Sequence, residues 1–406
     1  MVKEVRVIHT SDWHLGKTLE GNSRIEEQEA FLEEFCKIVE DKQVDLILHA
    51  GDIYDVSNPP AKAEELLYKY LRRLSNNGNR AIVIIAGNHD NPERLEAILP
   101  LAKEHGIIIY GTLNTVIEKG KYGNFEVINS GKGYIEVEIR GEKAVIAALP
   151  YPSERRLNEV LGNLDSEESF QQSYSERIGE LFNEITANFR EDTINLAMSH
   201  LYVVGGEATD SERAIQLGGS YVVELKHLPD RAQYVALGHL HKTQKYLSNE
   251  TPIIYSGSPI QYSKKERNNK NSVYYFEAHP GEKVNVERIN LSIYKKIELW
   301  DCENIQAAID LCREKSSEDS WVYIQIHTDR IINQDEIKEM KRLKQDIIEI
   351  RPILKGQSND EEITNNITEK NLEELFVMFY KSKNEVEPTQ DLTEMFLQLA
   401  GEGDRK

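Results

Sequence analysis

The sequence predicts a layered α/β fold, and three observations carry that expectation. Apolar β-like runs alternate with helical stretches through the first half of the chain, the pattern of a sheet covered by helices. One of these runs, Ala81–Ala86, is almost wholly apolar, as a strand buried on both faces is. Short motifs rich in Asp, His and Gly stand at the ends of the runs, where open α/β sheets place their sites.

Taken in order, Val5–His9 is a short apolar strand, and a helix follows over Ile25–Asp41. Ser23 and Glu26, three apart at its start, form a capping-box pattern. Asp45–Ala50 is the next strand, and Pro59 and Pro60 open a helix to about Asn76. After Ala81–Ala86 come a helix at Pro92–Glu104 and a strand at Ile107–Tyr110. Lys143–Leu149, Thr193–Ser199 and Tyr234–Leu237 are further strands, with a polar surface stretch, Asn158–Ser175, among them. Beyond Ala278 the pattern becomes a small α+β module: strand Lys283–Leu291, helix Asn304–Lys315, strand Trp321–Ile326, helix Asp335–Lys344 and strand Ile347–Ile353. Gly356–Asn366 is polar and reads as a linker. The expected organisation is therefore an α/β domain over 1–278, an α+β domain over 279–355, a linker over 356–366 and a helical tail over 367–403.

Composition bounds the function. A chain of 406 residues, 39% hydrophobic and 29% charged, has room for a large core. No apolar run approaches the ~18–20 residues of a membrane span. The N-terminus alternates charged and apolar residues like a strand rather than a signal peptide, so a cytoplasmic protein is expected. Cys36, Cys302 and Cys312 form no C-x-x-C pair, which argues against disulfides and thiolate zinc sites. The net charge of −20 is unlike that of a protein that grips DNA alone, because phosphate neutralisation supplies most non-specific affinity. If the substrate is nucleic acid, another component shares the grip.

Five motifs carry the chemistry: Asp12-Trp13-His14, Gly51-Asp52, Gly87-Asn88-His89-Asp90, Ser199-His200 and Gly238-His239-Leu240-His241. Each alone is common. All five follow β-like runs, so a parallel sheet would gather them at its carboxyl edge. Asp, Asn and His suit Mn²⁺, Fe²⁺ or Zn²⁺ rather than Ca²⁺ or a thiolate site. Two ions about 3.5–4 Å apart can clamp both oxygens of a phosphate displacement, given one carboxylate to bridge them. Gly51, Gly87 and Gly238 fit tight turns and close backbone approach. His9 and His49, within or beside strands, read as packed or hydrogen-bonded residues. Gly16-Lys17-Thr18 is not a P-loop, since Ser11 stands where that pattern needs glycine.

In this order and at these intervals the five motifs resemble the calcineurin-like metallophosphoesterase superfamily. The longer strings from His9 to Gly16, His49 to Asp55 and Val235 to His241 resemble its DNA nuclease subunits that work with a coiled-coil ATPase. The resemblance implies a four-layer β-sandwich flanked by helices, a small α+β capping domain and a C-terminal helix–loop–helix. It implies two Mn²⁺ ions, with Mg²⁺, Fe²⁺ or Zn²⁺ as alternatives. One would be held by Asp12, His14, Asp52 and His241, and the other by Asp52, Asn88, His200 and His239. His89, oriented by Asp90, would serve as proton donor or transition-state stabiliser. Some relatives carry a second histidine where this chain has Asp55, and nothing catalytic is assigned to Asp55. The activity implied is double-strand exonuclease and single-strand or hairpin endonuclease in DNA repair, replication and recombination, by a homodimer with two ATPase subunits near the nucleoid.

The tail shows two apolar stripes at helical spacing: Leu372, Leu375, Phe376, Phe379 and Tyr380, then Leu392, Met395, Phe396 and Leu399. They are expected either to fold back on their own domain or to dock in a partner's groove, and the resemblance favours docking on the ATPase through Leu372, Leu375, Phe376, Phe379, Leu392, Phe396 and Leu399. Lys264, Lys265 and Arg267 form a basic loop, either solvated or in contact with DNA or the partner. Two rival readings stand beside the nuclease: a phosphatase on the same metal core, and a non-catalytic scaffold for the ATPase.

Overall fold

The computed structural model describes residues 4–153, 167–209 and 221–354, together with Phe376, Tyr380, Pro388, Thr389, Leu392, Thr393 and Phe396 in the tail. Two sheets form its centre. The first runs, across its width, Asn285–Asn290, Ser272–Ala278, Val5–Thr10, Leu46–His49, Ala81–Ile85 and Ile107–Tyr110. Its last four strands are parallel. The second runs Gln244–Ser248, Thr251–Tyr255, Tyr234–Gly238, Ile194–His200, Glu142–Leu149, Tyr134–Ile139, Phe125–Gly131 and Gly120–Tyr122. It also has four parallel strands at its heart, Thr251–Tyr255 through Glu142–Leu149.

Side-chain alternation builds four layers from these sheets. Val5, Val7, Leu46, Leu48, Val83 and Ile85 of the first sheet meet Val137, Ile146, Leu196, Met198 and Ala236 of the second in one buried cluster. The opposite face of the first sheet, with Ile8, Ile47, Ile82 and Ile84, is covered by helices Ile25–Asp41 and Ala61–Leu74. Phe31, Leu32, Phe35, Cys36 and Val39 recur at helical spacing and bury one face of the first helix there. On the outer face of the second sheet, Val145, Ala197, Val235 and Ile253 are covered by Tyr174, Ile178, Phe182 and Ile185 of helix Glu167–Ile185. The result is helix, sheet, sheet, helix, the sandwich that the resemblance implied.

Several local expectations need correction. The Ser23–Glu26 capping box does not form, because the N-cap residue is Arg24 and no side chain caps the helix. Arg24 instead turns inward, 1% exposed, to clasp Glu27. The helix expected over Pro92–Glu104 is broken into Pro92–Glu96, Leu99–Ala102 and a 3₁₀ turn at Lys103–His105. Pro100 sits in the first turn of the second piece, where its missing N–H is not needed, and would have interrupted a continuous ladder. The polar stretch Asn158–Ser175 lies outside the described residues up to 166 and then enters helix Glu167–Ile185, which its composition did not announce. All three cysteines are free and buried.

By contact the chain divides into two compact units, Met1–Trp300 with Lys315–Tyr323 and Lys344–Glu349, and Asp301–Glu314 with Ile324–Leu343 and Ile350–Lys406. The strand expected over Lys283–Leu291 in the small module instead lies at the edge of the first sheet, paired with Ser272–Ala278. The later three-stranded sheet is made of Lys296–Cys302, Ser320–Thr328 and Ile347–Leu354, alternating with helices Ile305–Glu314 and Gln334–Leu343. The linker over 356–366 lies outside the described residues, as do Leu372, Leu375, Phe379, Met395 and Leu399. Phe376 and Phe396 are described, both helical and half-buried, and their rings stack with centroids 4.1 Å apart at 8°. Leu392 is helical and half-buried as well. Among the described residues no helix is long and apolar enough to cross a membrane.

Candidate metal centre

The five motifs sit where parallel strands end. Asp12 and His14 follow Val5–Thr10, Asp52 follows Leu46–His49, and Asn88 to Asp90 follow Ala81–Ile85. His200 closes Ile194–His200, and His239 and His241 follow Tyr234–Gly238. The carboxyl ends of both parallel groups thus meet, and Asp12, His14, Asp52, His200, His239 and His241 are all buried. Four of them, Asp12 (φ 54°), His14 (φ 44°), Asp52 (φ 55°) and His239 (φ 105°), hold positive φ, uncommon outside glycine. Such strain persists only where surroundings enforce it, and it clusters at functional sites.

The glycines permit the close approach. A Cβ on Gly87 would stand 2.1 Å from Asp52 Oδ1, and one on Gly238 would stand 2.0 Å from the Ala50 carbonyl oxygen. Gly51, at φ 91°, has His200 Nδ1 at 2.5 Å from its notional Cβ.

The side chains converge in two lobes around Asp52. In one, His14 Nε2 and His241 Nε2 face each other at 2.9 Å, and His14 Nε2 lies 3.6 Å from Asp52 Oδ2. Donor atoms of Asp12, His14 and His241 lie within 4.8 Å of one another. In the other, His200 Nε2 is 2.9 Å and His239 Nδ1 is 3.1 Å from Asn88 Oδ1, with His200 Nε2 3.4 Å from Asp52 Oδ2. Donor atoms of Asp12, Asp52 and His200 also fall within 4.8 Å. Surrounding groups orient the rings. His200 Nδ1–H donates to the Ala50 carbonyl at 2.8 Å, and the His239 peptide N–H donates to Asp12 Oδ1 at 3.0 Å. A proton satisfies one facing pair of imidazole lone pairs, whereas a cation satisfies the converging set. The donors therefore fit divalent ions of the Mn²⁺, Fe²⁺ or Zn²⁺ kind.

Electrostatics in the cluster point the same way. Burial pushes Asp12 up to about 7 against the pull of His200 and His241. Burial would raise Asp52 too, but His200, His14 and His89 overcome it and hold that carboxyl well below its usual range. Burial opposes charge on His200, yet Asp52 beside it raises the ring to about 9. Burial drives His14 well down, and burial with His200 takes His239 to about 3. Ligation would require His200 to give up its proton, so ion binding here is coupled to proton release.

His89 lies 5% exposed at the edge of the cluster, its Nε2 3.9 Å from Asp52 Oδ2. Donor atoms of His14, Asp52 and His89 also fall within 4.8 Å, so distance admits both a ligand's and an acid's role. Its orientation differs from the expectation. The ring Nδ1–H donates to the backbone carbonyl of Asp55 at 2.6 Å. Asp90 instead accepts the backbone amides of Gly87, Ile53 and Tyr54 at 2.9, 3.2 and 3.0 Å, tying the Asp52 and Asn88 loops together. Asp55 also binds Lys17 Nζ at 2.8 Å through its carboxylate.

Four contacts were not anticipated. Ser11 donates to Asp12 Oδ2 and bonds Ser256 Oγ at 2.8 Å. Tyr151 stacks on His239 at 6.4 Å and 26°. Glu266, fully buried, accepts from His241 Nδ1 at 3.1 Å. Its one sequence signal was an acid set among the cations of the basic loop. In that loop Lys264 pairs with Glu349 at 3.3 Å and lies over the Tyr323 ring, Arg267 donates to the Lys264 carbonyl, and Lys265 is exposed.

Comparison with known proteins gives a consistent picture. The family model described as calcineurin-like phosphoesterase matches residues 5–243, and one described as type 5 capsule protein repressor C-terminal domain matches 294–384. A protein of Bacillus subtilis (strain 168), named as the D component of the nuclease SbcCD, is 40% identical over 398 residues, 98% of each chain. A protein of the same name from Rhodobacter capsulatus is 35% identical over 269 residues, 64% of each chain.

Proposed function

The chain belongs to the calcineurin-like phosphoesterase family, in its SbcD branch, and from that premise we propose that it is the Mn²⁺-dependent DNA nuclease of a complex with an SbcC-type coiled-coil ATPase. A metal-dependent phosphodiesterase is what the family makes it. The observation that carries the finer reading is the convergence of Asp12, His14 and His241 on one side of Asp52, and of Asn88, His200 and His239 on the other. Asp52 is the carboxylate that would be shared. Bound ions would supply Lewis-acid activation of water and neutralise charge on the phosphate.

The chain's own residues do the rest. Ala50 holds the ring of His200, and Asp90 holds the loops that present Asp52 and Asn88. With Nδ1 held by the Asp55 carbonyl, a protonated His89 would offer its Nε2–H to an oxygen of the scissile phosphate. That donor would stabilise developing charge or protonate the leaving oxygen.

We propose exonucleolytic attack on duplex ends and endonucleolytic attack on single strands and hairpins, in repair, replication and recombination, by a cytoplasmic, nucleoid-associated homodimer with two ATPase subunits. The charge of −20 supports a partner that shares DNA binding. We assign ATPase docking to the tail through Leu372, Leu375, Phe376, Phe379, Leu392, Phe396 and Leu399, with the linker at 356–366 and the tail at 367–403. The test is Mn²⁺-dependent cleavage of hairpin DNA by the purified chain, against nitrophenyl phosphate and with Asp52→Ala as control. Hairpin cleavage lost in Asp52→Ala is expected; turnover of nitrophenyl phosphate alone would favour a phosphatase.

A further inference from the structure

We propose that Glu266 is a positioning residue for the metal centre, holding His241 in the tautomer whose Nε2 lone pair faces the ion. The inference rests on the reading of His241 as a ligand. Glu266 lies in the short 3₁₀ turn Lys264–Asn268 and is 0% exposed. Its Oε1 stands 3.1 Å from His241 Nδ1 and accepts from Thr209 Oγ1 at 3.0 Å, while Oε2 accepts the Tyr262 N–H at 2.7 Å. Thr209 and Tyr262 present donors, and a carboxylate, which only accepts, leaves His241 Nδ1 as a donor too. The proton is then on Nδ1, and Nε2, 2.9 Å from His14 Nε2, keeps its lone pair. Ligating histidines elsewhere are oriented by a carboxylate in this way.

The turn has little freedom to drift. Arg24 Nη1 donates to the Gln261 carbonyl at 2.7 Å while the rest of its guanidinium clasps Glu27. The Tyr262 hydroxyl donates to the Trp13 carbonyl, next in the chain to His14. Both ends of the Glu266–His241 contact are thus fixed to the strand ends that carry the cluster. An amide at this position would offer one acceptor and one donor end. Turned one way, its NH₂ meets the Tyr262 N–H. Turned the other, it meets His241 Nδ1, which can accept only by moving its proton to Nε2, where the ligand's lone pair is needed.

The experiment is a Mn²⁺ titration of the full-length protein by calorimetry, comparing wild type with Glu266→Gln. Two ions in the wild type and about 10–100-fold weaker binding of one of them in the variant are expected, with hairpin cleavage recovered at raised Mn²⁺. Two unchanged affinities in a folded Glu266→Gln protein would overturn the proposal and leave the nuclease reading standing. A wild type that binds no Mn²⁺ would overturn both. Should the variant not fold, ¹⁵N spectra of histidine-labelled, metal-free wild type decide: a protonated Nδ1 on His241 supports the assignment, and a protonated Nε2 overturns it.

Discussion

Replacing Gly87 by alanine should damage the centre without replacing any ligand. The added Cβ would stand 2.1 Å from Asp52 Oδ1, 2.4 Å from Asp52 N and 2.7 Å from Asp52 Cγ. Because the backbone nitrogen is in the way as well as the carboxylate, no rotamer of Asp52 relieves the clash. The two loops must part by about 1 Å, and a misplacement of that size in a catalytic group can cost on the order of 10²-fold in rate. That is about 2.7 kcal/mol of barrier. Overpacking takes about 1–3 kcal/mol from the fold, within the ~5–15 kcal/mol a domain has, so the variant should remain folded. The assay pairs Mn²⁺-dependent cleavage of a hairpin oligonucleotide with thermal unfolding of the same sample. A folded Gly87→Ala protein within about threefold of wild-type activity, set against the expected ~10²-fold loss, would show that the position of Asp52 does not govern catalysis.

Three further outcomes are expected. His89→Asn should keep its Mn²⁺ stoichiometry while losing about 10²–10⁴ in rate; a fall in stoichiometry would make His89 a ligand. Truncation after Lys355 should leave Mn²⁺-dependent cleavage of small DNA substrates nearly intact and abolish co-purification with the ATPase and any ATP stimulation; tight binding by the truncated chain would refute docking through the tail. His9, whose Nδ1 meets the Tyr234 hydroxyl at 2.9 Å, is pushed down to about 3 by burial and by His49. The unfolded chain takes up this proton near 6.5 while the folded one does not, so stability is lost as pH falls from 6.5 toward 3. Between pH 7 and 5 the loss is about 2 kcal/mol, and urea unfolding of metal-free His9→Gln should show a pH dependence smaller by that amount. Equal losses in variant and wild type would contradict it.

What the sequence made legible was what is local. Each ligand motif is two to four residues long and follows an apolar strand, which places each at the carboxyl end of a parallel strand. That three of them sit on one sheet and two on the other left no local trace. Helix Ile25–Asp41 announced itself by spacing, whereas the cap at Ser23 failed because Arg24 found a better partner in Glu27. Helix Glu167–Ile185 escaped because its apolar stripe, Tyr174 to Ile185, begins only after a polar run. The strands Gly120–Tyr122, Phe125–Gly131 and Tyr134–Ile139 were missed as well, their register set by pairing with one another rather than by an apolar run. Contacts across long separations left no local trace: Glu266 reaches His241 from 25 residues away, and Asp90 finds the Ile53 and Tyr54 amides rather than the ring beside it.

The most direct test of the account is anomalous diffraction from crystals of the protein soaked in Mn²⁺. Two peaks per chain are expected, both touching Asp52, one also held by Asp12, His14 and His241 and the other by Asn88, His200 and His239. A single peak, or peaks held by other residues, would contradict the two-metal centre on which the nuclease reading depends.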